Sequence, residues 1–233
     1  MIRVHSTEQI RRITLDRPER RNALTPEGLD QLSHAISEAE EQVIYLSGAG
    51  SAFCAGADLN TVEELEDGRG FAERGQRTTR AVSEADSIVV AGIDGPARGG
   101  GLELALACDV RVATPEATFG EPGVTFGLFG AWGGTARLPQ TVGSACAMDL
   151  ALSGRAIDAK EARRMGLISR IVDDPFEVAH EIAANDHRAL TLLKKRIRDD
   201  APASEQEAAE AEAFAELIAR RNERDEGGGL DGR

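Results

Sequence analysis

The fold is decided by residues 88–107, which read IVVAGIDGPARGGGLELALA. The apolar run Ile88–Ile93 predicts a fully buried strand, and Asp94-Gly95-Pro96 ends it. Three consecutive glycines, Gly99–Gly101, then lead directly into the helix-favouring run Leu102–Ala107. A strand, a glycine-rich turn and a helix in this order leave backbone N–H groups free at the positive end of the helix dipole. The stretch therefore predicts a βα unit whose turn can bind an oxygen that carries negative charge.

Strands and helices alternate on both sides of this unit. Ile10–Leu15 and Val43–Leu46 have the residues of strands, and Val110–Val112 follows the helix as another strand. Between the first two strands, Thr25 is typical of a helix N-cap and Pro26 of the first helical position. The alternation predicts βαβ units, a mostly parallel sheet and an α/β fold.

After about residue 175, the sequence no longer alternates between strands and helices and favours helices alone. Its composition there predicts three helices, over residues 176–184, 189–198 and 204–221. We therefore divide the sequence into a core over residues 1–175, a helical region over 176–226 and a disordered tail over 227–233.

The charge balance excludes several classes of partner. The 233 residues include 40 Asp and Glu against 27 Lys and Arg, a net charge of −13, so nucleic acid is not expected as a ligand. No apolar run approaches the roughly 20 residues of a membrane-spanning helix. The first residues lack the apolar stretch of a secretory signal. We therefore expect a cytoplasmic protein with no membrane partner.

The basic residues are mostly arginine, which makes up 24 of the 27. With the acid excess, this composition indicates a carboxylate-rich surface suited to strong salt, where screening shortens the range of self-repulsion. A halophilic protein is one interpretation, and an ordinary acidic bacterial protein is the other.

The cysteines and histidines do not have the spacing of a metal site. Cys54, Cys108 and Cys146 are odd in number and far apart, which indicates reduced thiols rather than disulfides or a zinc cluster. The four histidines have no ligand spacing either. No metal is therefore expected.

A second glycine-rich turn, Phe53–Leu59, follows the strand at Val43–Leu46. If the fold brings it against Gly99–Gly101, one N–H group from each turn can hold a single oxygen that gains negative charge, which is an oxyanion hole. Nucleotide-binding loops fit poorly, since no lysine precedes Lys160 and the three glycines are consecutive. The other interpretation is that these glycines serve only to pack the helix closely against the sheet.

Several motifs together resemble the crotonase superfamily of enoyl-CoA hydratases and isomerases. The resemblance covers most of residues 10–224 in order, and it rests on residues 17–24 (RPERRNAL), 52–59 (AFCAGADL), 99–105 (GGGLELA) with Cys108-Asp109, Phe119-Gly120, 133–139 (GGTARLP), and 152–155 (LSGR) with 159–162 (AKEA). It implies a crotonase-like spiral of ββα units. It also implies a C-terminal helical region that assembles homotrimers, often as a dimer of trimers.

The resemblance further implies an acyl-CoA substrate, so that CoA enters as part of the substrate and no separate cofactor is needed. The thioester carbonyl is then expected in the oxyanion hole, with the backbone N–H groups of Ala57 and Gly100 as its donors. Other matched positions are implied to border the pantetheine and adenine of CoA: Ala23, Leu24, Ala55, Asp58 and Leu59. Arg20 or Arg21 is implied to reach the CoA phosphates, the alternative being a solvated loop arginine.

Two carboxylates are candidates for the chemistry. Glu103 matches the first family glutamate, and burial on so apolar a helix raises its pKa toward a useful range; a buried salt bridge is its alternative role. The second family glutamate is missing, because Gly123 occupies its position, and Ala131 stands where some relatives carry an aspartate. Glu121 is a candidate replacement two residues upstream, although Pro122 stiffens the segment.

These features predict an acyl-CoA enzyme of the enoyl-CoA hydratase/isomerase type, in fatty acid or related acyl-CoA metabolism, that stabilises a thioester enolate. The missing second glutamate leaves hydration, double-bond isomerisation, decarboxylation and thioester hydrolysis open. A non-catalytic acyl-CoA-binding subunit is the alternative from another class. Phe129 and Trp132 are expected to line the acyl pocket, the alternative being ordinary core aromatics.

Overall fold

The computed structural model of the protein describes residues 1–227. Contacts divide the chain into two units, Met1–Ala183 and the residues from Ala184 onward. Residues 228–233, which make up most of the predicted tail, lie outside the described residues.

The larger unit contains a mostly parallel sheet and a small second sheet. In chain order, the strands within residues 1–227 are β1 (Ile2–Ser6), β2 (Ile10–Leu15), β3 (Val43–Gly48), β4 (Ile88–Ile93), β5 (Pro96–Arg98), β6 (Val110–Ala113), β7 (Thr118–Gly120), β8 (Ala156–Asp158) and β9 (Arg170–Ile171). The main sheet has the order β1-β2-β3-β4-β6-β9, and each of its pairings is parallel except the antiparallel β1–β2 pair. In the second sheet, β7 lies between the parallel β5 and the antiparallel β8. The predicted α/β class and parallel sheet are confirmed.

The helices of this unit surround the sheets. They are α1 (Pro26–Ser37), α2 (Leu59–Glu63), α3 (Gly68–Glu84), α4 (Gly100–Ala107), α5 (Gly134–Ser153), α6 (Ala159–Arg164) and α7 (Pro175–Ala183), with short 3-10 helices at Pro18–Arg20 and Pro122–Phe126. The predicted start of α1 is confirmed, since Thr25 Oγ1 accepts a hydrogen bond from the N–H of Gly28 at 3.2 Å.

Helix α4 lies inside the core and positions the site. All of its residues are buried, as expected for a helix that is apolar on every side. It follows β4 and β5 directly and packs against α3 and α5. The predicted strand at Ile88–Ile93 is confirmed as β4, in which every residue is buried. A fully buried parallel strand needs this continuous apolar run because helices cover both faces of such a sheet.

Strand β1 and helix α3 were not predicted from the sequence. Strand β1 is short, and four of its five residues are exposed. Helix α3 is rich in Arg and Glu, and its buried residues are Gly75, Thr78, Thr79 and Val82. These four residues recur at helical spacing, but three of them are glycine or threonine, so the buried face of α3 carries little of the large apolar sequence by which a helix is usually recognised.

The C-terminal part is helical. Helix α7 occupies the first predicted stretch and packs against β3 and β4, so it belongs to the larger unit, whereas the sequence placed it beyond the boundary at residue 175. The second unit contains α8 (His187–Ile197) and α9 (Ala203–Gly227), which pack on each other and are joined by the Arg188–Glu216 ion pair. Within residues 1–227, no helix is long and apolar enough to span a membrane.

Candidate active site

The two glycine-rich turns lie against each other. Cys54 pairs with β5, since its N–H donates to the Pro96 carbonyl at 3.2 Å and its carbonyl accepts from the Arg98 N–H at 2.9 Å. A methyl group on Gly56 would lie 2.7 Å from the Arg98 carbonyl oxygen and 3.0 Å from the amide nitrogen of Gly100. Glycine is therefore required at position 56, where φ is also +92°.

The N–H groups of Ala57 and Gly100 are unpaired. Gly100 is the first residue of α4, and the start of a helix leaves its N–H groups without intrahelical acceptors. The other turn is fixed by Leu24, whose N–H donates to the Gly56 carbonyl at 2.8 Å and whose carbonyl accepts from the Asp58 N–H at 3.0 Å. Neither the Ala57 nor the Gly100 N–H has an acceptor within residues 1–227. The fold thus places two unpaired main-chain donors on adjoining turns.

The Asp58 carboxylate fixes the turn at Phe53–Leu59. Its Oδ2 accepts a hydrogen bond from Arg17 Nη1 at 2.5 Å, and its Oδ1 caps α2 by accepting from the Thr61 N–H at 3.2 Å. Burial acts to raise the pKa of Asp58, but the Arg17 hydrogen bond and the amides at the start of α2 outweigh it and lower that pKa. Arg17 Nη1 also reaches the Ala23 carbonyl at 3.2 Å. The sequence analysis did not identify Arg17 as part of this region.

The other residues predicted along the CoA path differ in exposure. Ala23 and Leu24 are buried beside the turn at Phe53–Leu59, Ala55 is half-buried, and Leu59 is exposed. The Arg20 and Arg21 side chains are also exposed. Their contacts with a substrate, like that of Asp58, stay predictions.

Glu103 holds its two carboxylate oxygens in different environments. The side chain is buried, and its Oε1 accepts hydrogen bonds from the main-chain N–H groups of Trp132 at 2.9 Å and Gly134 at 2.6 Å. Its Oε2 is buried and has no hydrogen-bond partner within residues 1–227. A methyl group on Gly130 would lie 2.6 Å from that Oε2. The main chain therefore orients the carboxylate and leaves one oxygen for a ligand.

Opposing effects act on the pKa of Glu103. Burial raises its pKa most strongly, while the N–H groups of Gly134 and Trp132 and the positive charge of Arg137 lower it, and the result is a raised pKa. Arg137 is held by the Trp132 carbonyl at 3.2 Å and by Thr79 Oγ1 at 3.4 Å. Arg137 belongs to the motif at residues 133–139, but its effect on Glu103 was not predicted.

Glu121 lies beside the same cavity. It follows β7 and precedes the 3-10 helix that begins at Pro122, and its buried Oε1 has no hydrogen-bond partner in the described part of the chain, residues 1–227. Burial, followed by the negative charge of Glu103, raises the pKa of Glu121 to about 8. The structure thus brings together the two carboxyl groups that the sequence singled out.

The cavity that both glutamates line has a volume of about 380 Å³, within the range typical of small-molecule sites. Its remaining lining is mostly apolar and comes largely from α5: Val124, Phe129, Gly130, Gly134, Thr135, Leu138, Pro139, Ser144, Ala147, Met148 and Ala151. Phe129 is in the lining, as predicted, with most of its ring exposed.

The expectation for Trp132 is corrected. Its ring does not line this cavity but lies in the core, edge-to-face with Phe71 at a centroid distance of 5.9 Å. It fits there because Gly75 and Gly100 have no side chains, and a methyl group on either would overlap the indole ring. Trp132 instead contributes its main-chain N–H to Glu103.

Position 123 has no room for a side chain. A methyl group on Gly123 would lie 2.9 Å from the Phe129 Cα and 3.0 Å from the Leu128 carbonyl oxygen. At the other position that the sequence singled out, the Ala131 carbonyl accepts a hydrogen bond from Gln76 Nε2 at 2.9 Å. A glutamate at position 123 would therefore require the neighbouring main chain to move.

No metal centre accompanies this site in the part of the chain that the structure describes. Among residues 1–227, no group of three or more His, Cys, Asp or Glu side chains is placed to hold a metal ion. Cys54, Cys108 and Cys146 are free cysteines, and the first two are buried.

Comparison with known proteins connects this geometry to a family. The family model for enoyl-CoA hydratase/isomerase matches residues 5–228. The short-chain-enoyl-CoA hydratase of Clostridium acetobutylicum is 33% identical over 228 residues, covering 91% of this chain and 87% of its own. The crystal structure of enoyl-CoA hydratase from Bacillus anthracis matches with a TM-score of 0.88 and 33% identity, over 94% of this chain and 91% of that one. A Thermobifida fusca structure in complex with CoA matches with a TM-score of 0.86 and 26% identity, over 95% and 94%.

These matches confirm the resemblance to the crotonase superfamily and its fold. The family model spans nearly the whole chain, including both glycine-rich turns and Glu103. Sequence and structure agree, and the chain belongs to the enoyl-CoA hydratase/isomerase family.

Proposed function

We propose that this protein binds an acyl-CoA thioester, holds the thioester oxygen between the N–H groups of Ala57 and Gly100, and uses Glu103 as its base. The observation that carries the proposal is the Glu103 carboxylate, which lines an apolar cavity, is fixed by two main-chain N–H groups through Oε1, and has a buried Oε2 without a partner within residues 1–227. A buried oxygen without a partner costs stability, and a role for that oxygen in the reaction would account for the cost.

The chemistry follows from the charge that develops on the thioester. When a nucleophile adds at C3, or a proton leaves C2, negative charge spreads onto the carbonyl oxygen. Two prepositioned N–H donors stabilise that enolate, and removal of one such donor typically costs about 10²–10³ in rate. The turn at Gly56 and the start of α4 are both rigidly tied, so little reorganisation is needed as the charge forms.

The cavity indicates an apolar acyl group. Its lining of Leu138, Pro139, Ala147, Met148 and Ala151 offers few polar partners. CoA is the polar part of this substrate, and we propose that its pantetheine passes Ala23, Leu24, Ala55, Asp58 and Leu59, with Arg20 or Arg21 near its phosphates. This substrate fits fatty acid or related acyl-CoA metabolism, with no further cofactor.

The proposal is tested with Glu103→Gln, which keeps the shape of the side chain and removes its basicity. Purified protein is incubated with 2-enoyl, 3-enoyl, malonyl-type and 3-hydroxyacyl CoA thioesters, and the products are identified by mass spectrometry. We expect one reaction to lose about 10²–10⁴ in rate in the variant. Glu116→Gln, an exposed glutamate ahead of β7, is the matched control. Full turnover by Glu103→Gln would remove Glu103 from the mechanism, and thioester binding without turnover by wild type would favour a non-catalytic subunit.

We further propose that the protein works in the cytoplasm as a homotrimer or a dimer of trimers. The second unit supports self-association, because Leu193, Ile197, Phe214 and Ile218 expose apolar surface along α8 and α9. Light scattering that gives a monomer mass would contradict it.

We also propose the halophilic interpretation, which the excess of acidic residues supports. Unchanged stability after transfer to dilute buffer would contradict this interpretation.

A further inference from the structure

We propose that Glu121 is the second carboxyl group of this site and that it donates a proton to C2 of a 2-enoyl thioester. The inference rests on the proposed function and deepens it, because it assigns hydration as the reaction. It places the second carboxyl group two residues before Gly123, the position at which the family pattern lacks its glutamate here.

The backbone explains why the carboxyl group does not come from position 123. A side chain there meets the main chain of Leu128 and Phe129 at about 3 Å, and main-chain atoms yield less readily than the end of a flexible side chain. Because Gly123 lets this segment approach closely, Phe129 reaches the rim of the cavity. A glutamate at 123 would require the whole segment to move.

The Glu121 carboxyl group is free of local hydrogen bonds. It occupies the N-cap position of the 3-10 helix at Pro122–Phe126, and its side chain does not cap that helix. Its Oε1 is buried without a hydrogen-bond partner within residues 1–227. Glu121 also lines the cavity that Glu103 lines. A carboxyl group placed in this way is costly to ionise and is suited to carry a proton.

The surroundings of the two carboxyl groups assign their roles. Glu103 accepts two main-chain N–H groups, which stabilise its charged form. The charged group that acts on Glu121 is Glu103 from α4, and Arg137 from α5 acts on Glu103. Because like charges at close range do not both form readily, Glu103 ionises first and Glu121 keeps its proton at neutral pH. The site then holds one base and one acid.

The two groups together balance the addition of water. Glu103 Oε2 accepts a proton from water as the water oxygen bonds to C3. The electron pair of the C2–C3 double bond moves toward C2 and the thioester oxygen, which the N–H groups of Ala57 and Gly100 stabilise. The Glu121 carboxyl group then gives its proton to C2. Water has then been added across the double bond, Glu103 holds the proton that it took from the water, and Glu121 has lost its proton to C2. Exchange with solvent restores both groups.

The test compares Glu121→Gln with the Glu116→Gln control in the hydration of a short 2-enoyl-CoA, followed by the loss of absorbance of the conjugated thioester. We expect kcat to fall by about 10²–10⁴ in Glu121→Gln, with KM changed only a few-fold. Wild type loses activity above about pH 8, where Glu121 loses its proton, and the residual activity of Glu121→Gln lacks that alkaline limb. A merely structural role would not remove the limb.

The outcomes separate the inference from the proposed function. Wild-type kcat and an unchanged alkaline limb in Glu121→Gln would overturn the role of Glu121 and leave the proposed function standing. Wild type that isomerises 3-enoyl-CoA but does not hydrate 2-enoyl-CoA would also overturn it alone. Wild type that turns over no thioester would overturn the proposed function itself. If Glu121→Gln does not fold, the wild-type profile decides, because activity that stays constant from pH 7 to about pH 9 contradicts a proton donor of this kind.

Discussion

Replacement of Gly134 by alanine tests how closely the main chain controls the base. A methyl group at this position would lie 2.7 Å from Glu103 Oε1, whereas ordinary contact begins at 3.4 Å, so the carboxylate must retreat by about 0.7 Å. The N–H of Gly134 also donates to that oxygen, and the hydrogen bond of 2.6 Å would lengthen. Because a misplacement of about 1 Å can cost 10²-fold in rate, we expect kcat to fall roughly 10- to 100-fold.

The assay is hydration of a 2-enoyl-CoA, with kcat and KM measured separately and a thermal melt for folding. We expect a small change in KM and a melting temperature within about 5 °C of wild type, because alanine at the start of a helix is well tolerated. Gly68→Ala is the matched control, since Gly68 also begins a helix and a methyl group there meets nothing within 4 Å. Wild-type kcat in Gly134→Ala would refute the argument that this carboxylate is held in one productive position.

Two further predictions concern the cavity and the turn at Phe53–Leu59. Ala147→Leu places a larger side chain in the cavity lining, so we expect activity on long 2-enoyl thioesters to fall more than activity on the four-carbon substrate, and equal losses would contradict an acyl cavity at α5. Asp58→Asn keeps a capping oxygen but removes the charge that Arg17 stabilises, so urea unfolding at pH 7 should show a less stable variant. The pKa of Asp58 is lowered in the fold, so the difference in the free energy of unfolding between wild type and Asp58→Asn should persist down to about pH 4 and narrow only below that pH. If this difference in free energy does not depend on pH, the result would contradict the ion pair.

Local signals made the central part of the fold predictable. Strand β4 and helix α4 lie where the apolar run and the three glycines predict them, because a buried strand and a buried helix both need continuous apolar sequence. Thr25 and Pro26 mark the start of α1 by chemistry that acts within a few residues. Such features depend little on distant contacts.

The parts that were missed depend on contacts between distant residues. Trp132 lies in the core because Gly75 on α3 and Gly100 on α4 leave room for its ring. Likewise, Arg137 affects Glu103 from a guanidinium that is hydrogen-bonded to Thr79 and to the Trp132 carbonyl. No spacing along the chain states these relations, since each joins elements that meet only after folding.

The second carboxyl group shows why a motif position and a chemical role can separate. The reaction constrains where the carboxyl oxygens lie relative to the substrate, and it places no requirement on which Cα carries them. Glu121 reaches the cavity from the end of β7, while the absence of a side chain at Gly123 gives its space to Leu128 and Phe129. The two features are linked, because the close approach that encloses the cavity on this side also excludes a glutamate from position 123. The usual family position therefore carries no carboxyl group, whereas the cavity is lined by Glu103 and Glu121, each of which has a buried carboxyl oxygen without a partner within residues 1–227.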